Sequence, residues 1–372
     1  ALGGVIHYYT KTPKTSYKNE VDVGLVSRYS SANDEISNQG NVTLSFKKWA
    51  SLTSFSYADF GDLKMGMKRS HGFEDWGKVY LYSDNTDTFY NPDPVVNQDP
   101  NIQKNTGYNQ TDFLQKFYFE LSDDSNLTLN IQHSTSSDIL RFDKLTEKSE
   151  GKLKFSEWYY GPQERTMISS QLDVLPNKSW VESGVFTLAY QKLGESRIQR
   201  KFNSLDRLYR NEHVDVISFN GDFSVPLAKK SNRNLSYGIE FAHNNVNSDS
   251  YGKTLEVVGN EIVGFSDDFV VQSRYPDGGS TYTNAAFYTS YRQDVSELGT
   301  LNTGIRYTRT WLHATWIDET FIQLPDNDIY LKNGSLTSTV GYAYRPSTNW
   351  QLNSILSSGF RSPNIDDIGK IR

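Results

Sequence analysis

The side chains best equipped for chemistry in this sequence are its six histidines: His7, His71, His133, His213, His243 and His313. A neutral imidazole is a good iron ligand through its unprotonated ring nitrogen. His71 is the best single candidate, because Lys68 and Arg69 precede it and could pair with an ionised carboxylate on a ligand. The competing reading, for all six, is a solvated or hydrogen-bonded structural histidine. Aromatic residues offer a second kind of contact. Tyr108 and the run Glu157-Trp158-Tyr159-Tyr160 carry large, rigid surfaces that cost little entropy to order. Three consecutive aromatics cannot alternate between two environments, so the competing reading of this run is loop packed against loop. Covalent catalysis finds no support. There is no Gly-x-Ser-x-Gly elbow, no His-Glu-x-x-His pair and no Walker-type glycine loop. Asp84, Asp87, Asp93 and Asp99 match no calcium loop, and Asp366-Asp367 read as a solvated or loop-capping pair.

These side chains must be positioned by strands. The chain has 24 Tyr, 20 Phe and 7 Trp, no cysteine and a net charge of −6 without a basic stripe, which argues against nucleic acid as a partner. A mean hydropathy of −0.62 excludes a helical membrane protein. No apolar run approaches the ~20 residues a membrane helix needs. A membrane barrel remains open, because in it only every second residue meets lipid. Alternation with period two recurs throughout. Val42, Leu44 and Phe46 oppose Thr43, Ser45 and Lys47; Leu127, Leu129 and Ile131 oppose Thr128, Asn130 and Gln132; Leu235, Tyr237, Ile239 and Phe241 continue the pattern.

Strands are expected near 20–29, 40–48, 52–60, 112–121, 126–136, 165–175, 181–194, 213–225, 234–246, 282–294, 300–312, 334–345 and 350–358. Short links rich in Asp, Asn, Ser, Gly and Pro alternate with long ones at 31–39, 61–111, 137–164, 195–212, 247–281 and 313–333. Every long link therefore falls at one end, as in barrels with short periplasmic turns and long extracellular loops. Trp49, Tyr57, Phe60, Trp180, Trp311, Trp316 and Trp350 sit at strand ends, where interface girdles would lie. Thirteen strands is an odd number and bacterial barrels close with even ones, so more strands are expected after Arg372.

The two ends of the chain carry a resemblance. Ala1-Leu2-Gly3-Gly4-Val5-Ile6, continuing through Thr10-Lys11-Thr12-Pro13, resembles the end of the plug domain of TonB-dependent receptors. Gly359-Phe360-Arg361-Ser362-Pro363-Asn364 resembles that family's FRAP box, with Ser in place of Ala. Asn105-Thr106-Gly107-Tyr108-Asn109-Gln110, Glu157-Trp158-Tyr159-Tyr160-Gly161-Pro162-Gln163 and Asn364-Ile365-Asp366-Asp367-Ile368-Gly369-Lys370 are similar to the hemoglobin/heme-type branch found in Bacteroidetes.

The resemblance implies an all-β, antiparallel up-and-down barrel spanning a bacterial outer membrane. Residues 1–13 would end the plug, and 14–372 would supply about thirteen strands of a 22-stranded barrel. It implies uptake powered through TonB, outer-membrane lipid around the barrel, and no covalently bound cofactor. Heme or a hemoglobin-like protein would be the ligand, met by Arg69, His71, Tyr108, Trp158, Tyr159 and Tyr160. The sequence departs from the family in lacking the plug proper, the TonB-contacting box and the later NPDL box with its histidine-bearing loop. A siderophore, cobalamin or other nutrient is the alternative ligand. A passive porin or adhesion barrel is the alternative class, against which residues 1–13 argue, and a secreted carbohydrate-binding β protein is a third.

Overall fold

The computed structural model describes residues 8–176, 178–228 and 232–368. The thirteen expected strands are present in order: β1 (Glu20–Ser30), β2 (Glu35–Ser45), β3 (Trp49–Phe60), β4 (Tyr108–Ser122), β5 (Ser125–Ser136), β6 (Glu164–Val174), β7 (Ser183–Lys201), β8 (Asp206–Ala228), β9 (Arg233–Val258), β10 (Ser280–Ser296), β11 (Gly299–Thr315), β12 (Asp328–Ser347) and β13 (Trp350–Ser357). Each pairs antiparallel with the next in one continuous path. Short strand pieces occupy the connections.

Register turns the sequence alternation into two faces. Across eight neighbouring strands one row reads Leu127, Leu172, Phe186, Gly221, Ile239, Phe287, Tyr307, Leu336. The row beside it reads Thr128, Gln171, Thr187, Asn220, Glu240, Ala286, Thr308, Ser335. Side chains one residue apart point to opposite faces, so one face is apolar and the other polar. Ile239, Phe287, Tyr307 and Leu336 are 46, 53, 44 and 67 % exposed, a belt that a second packed sheet would have covered. Such a belt suits lipid.

The polar face is the interior. Glu240 binds Arg306 at 3.0 Å across it, and the Lys116 ammonium donates to the Thr10 carbonyl at 3.1 Å. The segment before β1 thus lies against this face, with Pro13 fully buried. Ala1–Ile6 and His7 lie outside the described residues.

Connections are short at one end of the sheet, as at 123–124 and 297–298, and the longest, 61–107 and 137–163, lie at the other. Three expected long loops are corrected. The link 31–39 is a turn of four residues, closed by Asp34 in the left-handed region (φ 49°). The link 195–212 is mostly strand, since β7 runs on to Lys201 and β8 begins at Asp206. In 247–281, β9 continues to Val258, turns at Gly259 (φ 65°) and pairs with a returning strand, Glu261–Val270. Charged composition marks where these strands leave the apolar belt, not where their hydrogen-bonded ladder ends. Lys192 opposite Asp215 on the outer face marks that limit between β7 and β8.

Trp49, Trp180 and Trp350 lie exposed at the short-turn end, where a girdle was expected. Trp316 is a correction: it is 3 % exposed and folds under its own connection, its N–H bonded to the Asn327 carbonyl.

Candidate functional site

The run Glu157–Tyr160 belongs to a strand, Phe155–Tyr160, that stands off the main path and pairs with the top of β7 and with Ile139–Leu140. That position explains why three aromatics in succession are tolerated. Trp158 is buried against Leu145 and Phe155, with the Arg141 guanidinium 4.6 Å above its ring. Tyr160 meets Trp158 edge-on at 5.4 Å and accepts a hydrogen bond from Arg141. Tyr159 donates to Asp87 at 3.0 Å, and burial holds its hydroxyl far above the usual tyrosine range.

Glu157 is the hub of this region. Arg200 Nε reaches its Oε1 at 2.9 Å, and Arg207 Nε reaches its Oε2 at 2.7 Å. All three side chains are almost fully buried. The remaining guanidinium N–H groups go to Asn85 Oδ1 at 2.7 Å, the Ser204 carbonyl at 3.0 Å and the Thr86 carbonyl at 3.4 Å. The long connection 61–107 is thereby fastened to β7 and β8.

His71 and Arg69 lie elsewhere in that connection. Arg69 is spent on holding the loop, donating to the carbonyls of Trp76 and Met67 and to Asn101 Oδ1 at 2.9 Å. His71 is exposed, its ring between Phe73 and Trp76, and its Nδ1 accepts the Phe73 N–H at 3.1 Å. That bond places the neutral ring's proton on Nε2. Ligation through Nε2 would require the other tautomer and the loss of this bond. Tyr108 packs at a tilt against Phe60, ring centres 4.8 Å apart, where β4 begins. The expected ligand residues therefore form separate groups. His133 and His243 lie on the apolar face, bonded to Thr166 and Thr283, while His313 binds Asp328 at 2.7 Å. His213 falls inside β8, opposite Gly194.

The stretch Gly359–Asn364 follows β13 and folds onto the polar face. Ser362 Oγ lies 2.8 Å from Thr310 Oγ1 and accepts from Asn333 at 3.3 Å. Phe360 stays partly exposed, and Arg361 pairs with Asp367 at 2.6 Å. After Pro363, Asn364 and Asp367 exchange side-chain-to-backbone bonds of 3.0 and 3.1 Å, capping the helical turn Ile365–Ile368. Asp367 thus does the loop-capping work expected of the acidic pair. Ile365 packs on Leu312 and Ala314, and Asp366 accepts from the Tyr275 hydroxyl at 2.6 Å. Burial pushes that hydroxyl up to about 12, and Asp366 adds to the effect. Gly369 and Lys370 lie outside the described residues.

This fold-back closes one side of a cavity of about 400 Å³ at the mouth of the sheet. Leu193, Val214, Val246, Tyr282 and Ile365 form its apolar wall. Glu195, Arg197, Glu212, Asn244, Asn364 and Asp366 form its polar wall. Arg197 is held from both sides, by Glu195 and by Glu212 at 2.6 Å. Burial pushes the Glu212 carboxyl up to about 7; Arg197 pulls against this and Glu195 adds to it. Glu195, Arg197 and Glu212 were missed at the sequence level because they fell in an expected loop. Their signal was parity: 193, 195 and 197 stay in step along β7, as do 212 and 214 along β8.

No protein-family model matches the chain, and no curated protein matches it. Solved structures do match its fold. The copper transporter OprC has a TM-score of 0.68 at 9 % identity, over 96 % of this chain and 47 % of that one. The FrpB iron transporter from Neisseria meningitidis (F3-3 variant) has 0.63 at 16 %, over 94 % and 47 %. A double mutant of the Serratia marcescens hemophore receptor HasR, in complex with its hemophore HasA and heme, has 0.59 at 14 %, over 94 % and 47 %. The chain spans about half the length of the structures it matches.

Proposed function

We propose that this chain is part of a TonB-dependent outer-membrane receptor that captures a scarce nutrient at its mouth and loops, without covalent chemistry on it. The observation that carries the reading is the sheet itself: an exposed apolar belt, a polar interior and the longest connections at one end. The segment 8–18 lying on the interior supports a plug attached ahead of β1, through which TonB would act. The likeness to metal and hemophore receptors supports transport over a passive pore.

Two ligand readings meet different residues. Heme, or heme from a hemoglobin-like protein, would be met at His71 and Arg69, which must first give up their present hydrogen bonds. A siderophore, cobalamin or other nutrient would be met at the mouth cavity, which is already formed. The full-length protein is expected to need detergent for extraction and to accumulate its ligand only with TonB present. Recovery as a soluble monomer would sink the receptor reading. Heme titration followed by Soret absorbance separates the ligands, since no shift would remove heme and leave the barrel standing.

A further inference from the structure

Among the described residues, buried side-chain polar atoms without a hydrogen-bond partner gather in one region. Seven atoms of the described residues are in this condition, on Arg197 of β7, Glu212 of β8, Ser248 and Ser250 of β9, Gln272 and Arg274 of the connection into β10, and Ser280 at the start of β10. These are the elements that wall the mouth cavity. Native folds leave few such atoms, and each marks a missing partner. Arg197 Nε and Arg274 Nε are donors, Glu212 Oε1 and Gln272 Oε1 are acceptors, and the serine hydroxyls are both.

The mixture restricts what can complete it. A carboxylate only accepts, and it would meet three lining carboxyls, Glu195, Glu212 and Asp366, with Arg197 already held by two of them. An ammonium only donates, which leaves the Arg197 Nε–H unanswered. A hydroxyl donates and accepts at once. Asn244 and Asn364 on the polar wall have the same dual capacity, while Val246, Tyr282 and Ile365 offer apolar surface to a carbon skeleton. A cavity of about 400 Å³ holds a compact organic molecule.

We propose that the mouth cavity binds a neutral, polyhydroxylated organic molecule, an inference that rests on the uptake-receptor reading and names its ligand class. Of these seven residues Arg197 and Glu212 line the cavity itself, and their buried Nε and Oε1 re-aim as the ligand enters. The charged groups around the Glu212 carboxyl are Arg197 and Glu195 on β7, Arg210 on β8 and Arg274 in the connection into β10.

The test is calorimetric titration of the detergent-purified full-length receptor. Glucose and maltose serve as neutral probes, glucuronate as the acidic counterpart and glucosamine as the amine. A neutral probe is expected to bind at least about tenfold more tightly than either charged counterpart. Glu212→Gln, whose amide both donates and accepts, is expected to keep binding. Glu212→Leu and Asn244→Leu are each expected to weaken it about tenfold or more. Heat-modifiable gel migration checks that each variant is folded. Equal or tighter binding of glucuronate or glucosamine would overturn the proposal. So would an absence of binding by every probe, which would leave the cavity to water only. The receptor reading fails by separate readouts, a soluble detergent-free protein or TonB-independent accumulation, and the titration decides the site in either case.

Discussion

Two arginine–glutamate clusters stand above the apolar belt, and they are built oppositely. Around Glu157 one carboxylate serves two guanidiniums, and their further N–H groups reach an amide oxygen and two carbonyls. Around Arg197 one guanidinium serves two carboxylates, and Arg197 Nε and Glu212 Oε1 are left over beside a cavity. Burying charge is tolerable when every group is answered and costly when one is not. The first cluster is completed by folding. The second is completed by something that enters.

The strongest way to break this contrast is at the hub. Glu157→Leu strands two buried guanidiniums, at a cost of about 3–5 kcal/mol. The connection 61–107 is then expected to come loose from β7 and β8, with rapid proteolysis and amide exchange in Asn85–Tyr90. Unchanged protection there would mean that the hub does not fasten the loop. Trp158→Ala, emptying the neighbouring cluster, is expected to cost a similar ~3–5 kcal/mol and to loosen the connection 137–163, which supplies that cluster.

Acidity probes the Arg197 cluster at the next level. The Glu212 carboxyl is raised from 4.5 to about 7 by burial. Below pH 4.5 the folded and unfolded chains both hold the proton. Between there and about 7 only the folded chain does, so stability falls as pH rises through this window, by roughly 3 kcal/mol in all. Denaturant unfolding of the detergent-solubilised protein is expected to show that slope, and Glu212→Gln to flatten it. A slope that survives the substitution would assign it to another group.

What the sequence revealed and concealed divides along physical lines. Leu127, Ile239 and Phe287 announce their strands because, in the membrane setting we propose, lipid enforces alternation on one face. Above the belt no solvent enforces it. Thus Glu195, Arg197 and Glu212 read as loop although β7 and β8 carry them in unbroken register. The aromatic run at 158–160 was legible as a departure from alternation, and burial of Trp158 follows the loop-packing reading. Its carboxylate was not legible as a hub, because its partners Arg200 and Arg207 lie 43 and 50 residues away. His71 and Arg69 looked available because a sequence does not display the backbone groups that occupy them.

The smallest expected effect tests whether the mouth is a unit apart from the hub. Ser362 stands where the resembled box has alanine, and its hydroxyl ties the fold-back to Thr310 and Asn333. Thr310 is only 3 % exposed, so Ser362→Ala leaves a buried hydroxyl short of a partner. A cost of about 0.5–1.5 kcal/mol follows, softened by the contacts of Ile365 with Leu312 and Ala314, which the substitution leaves in place. Faster amide exchange is expected in 361–368, together with weaker ligand retention at the cavity those residues close. Exchange in 85–90 should not move, because the Glu157 hub shares no residue with this tie. A coupled loosening of both regions would erase the distinction between a cluster finished by folding and one finished by its ligand.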